Sequence, residues 1–115
     1  MTRKQIAEAF SGGDLESTYP FITDNTEWNV IGEFHLKGRE SIIDKCDQTT
    51  KYFNSVTTNF KTLNVIEDKK RIAINGTAEF IRNDKRVAFV SACDMYEFDD
   101  SNKLIKITSY CIQEK

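Results

Sequence analysis

The second half of the chain is written as four strands, and that pattern limits what the whole can fold into. The strand-like runs cover residues 56 to 67, 71 to 82, 86 to 98 and 104 to 112. Asp68-Lys69-Lys70, Asn83-Asp84-Lys85 and Asp99 to Asn102 form the short connections between them. Connections this short join antiparallel neighbours, so the four form a meander. Helical spacing comes earlier. Ile6, Ala9 and Phe10 form a stripe closed by Gly12-Gly13, and Asp14 is placed to cap a second short helix that Pro20 ends or kinks. Thr23-Asp24-Asn25 reads as a turn, Thr26 to Ile31 as a short strand, and Gly32 to Lys37 as an irregular loop. From Gly38 onward Ile42, Cys46, Thr49 and Phe53 mark one face of the longest helix. Helices segregated from an antiparallel sheet make an α+β domain. The expected shape is a cone-like half-barrel, a curved sheet wrapped around three N-terminal helices, with a ligand-sized mouth between the layers.

The remaining composition excludes more than it suggests. The 115 residues fit one domain, 1–115. A net charge of -2 without a basic stripe gives no reason to expect nucleic acid, and no apolar run is long enough for a membrane span. The opening MTRKQIAEAF reads as amphipathic helix rather than leader. Three cysteines without a CxxC pair fit a reducing cytoplasm, and His35 as the single histidine leaves no metal set. No cofactor is expected.

The run Arg86 to Phe98 holds the main clue to chemistry. As a strand it sets Ala88, Val90, Ala92, Asp94, Tyr96 and Phe98 on one face. A carboxylate on an apolar face is costly unless paired, hydrogen-bonded or protonated, which makes Asp94 the candidate general acid or oxyanion donor. His35, in the loop before the long helix, is a weaker candidate base. Trp28 and Asn29 from the first strand, Ala78 and Phe80 from the 71–82 run, and Ala92 and Tyr96 beside Asp94 are expected pocket residues. On the last strand Ile107, Ser109 and Cys111 share one face and Lys106, Thr108 and Tyr110 the other; periodicity leaves open which looks inward. The opposite face of the central run, with Phe89, Cys93 and Met95, is too apolar for water, so a homodimer through the outer sheet face is expected.

The stretch AEAFSGGDLESTYPFITDNTEWNVIG followed by KGRESI, with CDMYEFDDSNKLIKITSY later, resembles the nuclear transport factor 2-like superfamily in its SnoaL-like and ketosteroid-isomerase-like branches. The resemblance spans nearly the whole chain. It implies a cone-shaped α+β fold, commonly dimeric, that hosts isomerases, cyclases, dehydratases, epoxide hydrolases and non-catalytic modules alike. A steroid isomerase of this kind uses an aspartate base, a tyrosine and a protonated aspartic acid. The protonated acid matches Asp94, the base falls on Asn29 and the tyrosine on Ile6. An amide cannot take the proton, so steroid isomerisation is not expected. The reading is a small-molecule-binding domain for a hydrophobic or polar-tipped ligand; the alternative is a cofactor-free isomerase, lyase or hydrolase working through Asp94.

Overall fold

A capping box starts the first helix. In the computed structural model, which describes residues 1–114, Thr2 Oγ1 accepts from the Gln5 N–H at 3.1 Å and the Thr2 N–H donates to Gln5 Oε1 at 2.8 Å. Two backbone donors that a helix start leaves open are thereby satisfied. Helix α1 (Arg3–Ser11) buries Ile6, Ala7 and Phe10 and stops at Gly12, whose N–H returns to the Glu8 carbonyl. Gly13 then turns with φ +91° and lies against Phe60; a Cβ there would stand 2.6 Å from the Phe60 ring.

Three local expectations are corrected. The helix to be capped by Asp14 is a 3-10 helix, Glu16–Phe21, with no side-chain cap. Asp14 accepts the Ser17 hydroxyl at 2.7 Å, and Thr18 bonds the Leu15 carbonyl three residues back at 2.6 Å. Pro20 sits inside this turn without an N–H to extend it. Strand β1 (Ile22–Val30) includes the supposed turn 23–25, although its ladder breaks register between Ile22 and Glu27. Thr26 spans the break, accepting from the Thr23 N–H at 2.8 Å and donating to the Leu104 carbonyl at 2.5 Å. Finally, the supposed loop contains strand β2 (Phe34–Lys37), antiparallel to β1. Phe34 and Leu36 pack on the core while His35 and Lys37 are exposed, an alternation too short to stand out in sequence.

Helix α2 (Arg39–Asn54) buries Ile42 and Cys46 and turns Phe53 onto the core. The meander follows as β3 (Thr57–Asp68), β4 (Arg71–Arg82), β5 (Lys85–Phe98) and β6 (Leu104–Gln113). Asn83 and Asp84, both at positive φ, make the two-residue turn between β4 and β5. The six strands form one sheet in the order β2-β1-β6-β5-β4-β3, antiparallel except where β6 runs parallel to β1. The sheet is curved and open, with the helices on its concave side.

Inward-facing residues on β4, β5 and β6 line up in rows across the sheet. Ile72, Tyr96 and Ile107 form one row, and all three are fully buried. The next row is Ile74, Asp94 and Ser109; the one after is Gly76, Ala92 and Cys111. Bulk therefore falls along the strands from core row to small row, and space opens above it. On the convex side Tyr110 is 48% and Ile112 70% exposed. No helix among the described residues is long and apolar enough to cross a membrane.

Candidate functional site

The small row opens a cavity of about 360 Å³ between sheet and helices. Phe10 and Ser11 of α1, Trp28 and Val30 of β1, and Phe53 of α2 form part of its wall, with Glu33 from the β1–β2 connection. At one end Phe53 and Phe80 stack with centroids 5.7 Å apart, and Phe60 meets Phe53 edge-on at 5.2 Å. Aromatic pairs in these geometries hold one another as well as anything that enters.

Asp94 is the polar centre of the wall. Ser11 Oγ donates to Asp94 Oδ2 at 2.8 Å, and the Tyr96 hydroxyl lies 2.5 Å from the same Ser11 oxygen. With the Ser11 proton committed to Asp94, the phenol donates to Ser11. On the other side Trp28 Nε1 donates to Ser109 Oγ at 3.2 Å, and Ser109 stands opposite Asp94 in the β5–β6 ladder, close enough to favour its charged form. Two relays, Tyr96 through Ser11 and Trp28 through Ser109, thus converge on one carboxyl. Burial raises the Asp94 pKa above its ordinary 3.8, while the hydroxyls of Ser109, Ser11 and Tyr96 pull it back down. Burial first, and then the Asp94 charge, lift Tyr96 well above the usual phenol range. Burial with the same carboxylate nearby pushes the Cys111 thiol up to about 11, which disfavours its thiolate.

Of the residues singled out from sequence, Asp94, Trp28, Ala78, Phe80, Ala92 and Cys111 line the cavity. Ile6, Tyr96 and Ile107 are fully buried beside it, and the Tyr96 hydroxyl meets the site at Ser11 and acts on Asp94. The open question on the last strand is answered by register: Ile107, Ser109 and Cys111 oppose Tyr96, Asp94 and Ala92 and so face inward. Asn29 and His35 do not belong to the wall. Trp28 and Val30 take the inner positions of β1, which turns Asn29 outward, because neighbours on a strand point to opposite faces. His35 sits opposite Asn29 on β2, exposed, with Nε2 3.0 Å from Glu27 Oε1. Neither lines the cavity beside Asp94. Ser11 escaped sequence reading although it falls four residues after Ala7, on the buried face of α1. Phe60 escaped it too; its signal was the alternation of Thr58, Phe60 and Thr62 along β3. No cluster of metal-ligating side chains occurs among the described residues.

Comparison with solved structures agrees with this fold. No family model matches the sequence, and no curated protein does. Among solved structures, an NTF2-like protein of unknown function from Cytophaga hutchinsonii is 35% identical, with 95% of each chain covered and a TM-score of 0.85. A protein described as a SnoaL-like polyketide cyclase from Shewanella denitrificans is 12% identical over 96% of this chain and 90% of its own, with a TM-score of 0.74. An LEH-like epoxide hydrolase from M. tuberculosis is 16% identical over 96% and 82%, with a TM-score of 0.71. The last two share the fold alone. At 35% identity along almost its full length, the chain belongs to the NTF2-like (nuclear transport factor 2-like) family.

Proposed function

We propose that the domain binds a small, mainly apolar molecule carrying one polar group, and that this group docks at Asp94. The observation behind this reading is the row of Gly76, Ala92 and Cys111 set between a packed core row and the phenylalanine cluster. A core built only for stability would fill that space, since each empty volume costs packing energy. Isothermal titration with 2-naphthol should give saturable one-site binding. Ala92→Leu, which pushes a branched side chain into the space beside Asp94, should weaken it at least about tenfold, the effect of displacing roughly 1.4 kcal/mol of contact. Unchanged affinity in that variant would count against the reading.

The raised pKa of Asp94 favours a second reading, cofactor-free proton transfer in which its carboxyl acts as acid or oxyanion donor. A carbon-detected titration that found Asp94 at its ordinary 3.8 would remove it.

We also propose that a second copy of the chain covers the convex sheet face. Phe89, Cys93, Met95 and Tyr110 occupy its middle, and charges of both signs stand at either end, Arg86 with Glu79 and Arg71 with Glu97. A two-fold axis through that face lays apolar centre on apolar centre and lets each charged end meet its complement. Sedimentation at micromolar concentration should detect a species of twice 13.3 kDa; the 13.3 kDa species alone would overturn the proposal.

A further inference from the structure

Ser11 turns its hydroxyl proton onto the Asp94 carboxyl with the Tyr96 hydroxyl behind it, and Ser109, which accepts from Trp28, stands opposite Asp94 on β6 and favours the same charged form. No arginine, lysine or histidine side chain pairs with Asp94 among the described residues. The arrangement suits an ionised carboxylate whose charge lacks a partner, with the cavity as the direction left open.

The rest of the wall has the same sign. Glu33 adds a second carboxylate at the cavity's edge. The single lysine of the lining, Lys61, pairs with Thr77 between the inward-facing residues Phe60 and Thr62. Strand alternation therefore turns its side chain to the convex face and leaves only its backbone at the cavity. Aromatic rings supply much of the remaining surface: Phe10 and Trp28 packed edge-to-face at 5.1 Å near the network, and the phenylalanine cluster at the other end.

A cavity with carboxylates, aromatic faces and no inward cation is a host for a cation attached to hydrocarbon. We infer that the preferred occupant is a lipophilic amine, its ammonium on the Asp94 carboxylate beside Phe10 and Trp28, and its hydrocarbon tail against Phe53, Phe60 and Phe80. This rests on the ligand-binding reading above and names the chemical class. Ile74, opposite Asp94, and Phe80 lie six residues apart on β4, so an amine that reaches from the carboxyl toward the rings needs a chain of several carbons.

The test uses three molecules of one shape: 4-phenylbutylamine, 4-phenylbutan-1-ol and 4-phenylbutanoate. Trp28 is the sole tryptophan and lines the cavity, so its fluorescence reports occupancy directly. At pH 8 the amine should bind about tenfold or more tighter than the alcohol, as a charge-assisted hydrogen bond requires, and the acid weakest of all. In Asp94→Asn the preference of amine over alcohol should shrink to within about twofold, once the charge-assisted contact is gone. Lowering the pH should erode amine binding as Asp94 takes up its proton. The other titratable groups facing it are Tyr96 on its own strand and Cys111 on β6, both lifted by burial, with Glu33 at the edge of the cavity. An alcohol that matches the amine, or an acid that beats it, overturns the ammonium inference and leaves the pocket standing. If none of the three binds while 2-naphthol does, the ammonium inference falls and the pocket stands; if 2-naphthol fails as well, the ligand-binding reading falls and takes this inference with it. The comparison is made on the unmodified protein, so it decides the matter even if the Asp94 variant folds poorly.

Discussion

Gly76→Val should lower the unfolding midpoint by about 10 °C or more and cost about 3 kcal/mol, the scale of severe overpacking. A Cβ at residue 76 would stand 2.3 Å from the Lys61 carbonyl oxygen and 3.2 Å from its carbonyl carbon. Both are backbone atoms, so no side-chain rotation relieves the clash and β3 itself must move. The ladder between β3 and β4 already shifts register between Thr62 and Asn64, opposite this glycine. A bulge on one strand and a bare backbone on the other let the sheet bend sharply there. The displaced segment carries Phe60, so the variant should lose the aromatic end of the cavity along with stability. Thermal and urea unfolding followed through Trp28 measure the loss of stability, and probe titration measures the loss of the aromatic end. A wild-type midpoint would mean that the close approach of β3 is not a feature of the fold in solution.

Replacing Asp94 with asparagine should change how stability depends on pH, and the sign is fixed. Burial raises the folded-state pKa of Asp94 above the unfolded value. The native state therefore holds the proton more tightly, and stability is lost as pH rises from the unfolded pKa to the folded one. Above the folded pKa the loss is complete and constant. The amide of the variant carries no such linkage. The stability of the variant minus that of wild type should climb through that window and then level off, by about 1.4 kcal/mol for each pH unit that separates the folded and unfolded pKa values. Chemical denaturation of both proteins from pH 4 upward measures the difference, in which contributions from the other carboxyls cancel. A flat difference would mean that the hydroxyl donors of Ser11 and Ser109 fully offset burial. A falling one would mean that they outweigh it.

What the sequence discloses depends on how far apart the cooperating residues lie. The four long strands are legible because alternation and polar turns are local signals, and their observed ends fall within one or two residues of those expected. Asp94 stands out for the same reason, as one acid on an apolar face. Strand β2 is missed because four residues give alternation no length over which to declare itself. Asn29 is placed at the pocket by the family resemblance, whereas alternation along β1 gives the inner face to Trp28 and Val30 and leaves it outside. The relay into Asp94 joins α1, β1, β5 and β6, with Ser11 83 residues from Asp94. No pattern along the chain encodes such a meeting; it exists only after α1 has been laid across the sheet. The cavity is legible in outline, through Gly76 and Ala92, but its closure by Phe53, Phe60 and Gly13 depends on packing between layers.

The parallel contact between β1 and β6 also fixes when the site can exist. Every other strand pair joins sequence neighbours, but Trp28 meets Ser109 across 81 residues. Hairpins of the meander can zip as they are made, whereas this seam must wait for the last strand and bear the entropy of a very long loop closure. During synthesis β1 and β2 therefore have no sheet to join until β6 has left the ribosome. The first turn of the relay, Trp28 to Ser109 to Asp94, is then among the last native contacts to form. A nascent chain halted before β6 should remain open to proteases and chaperones, with its pocket unmade.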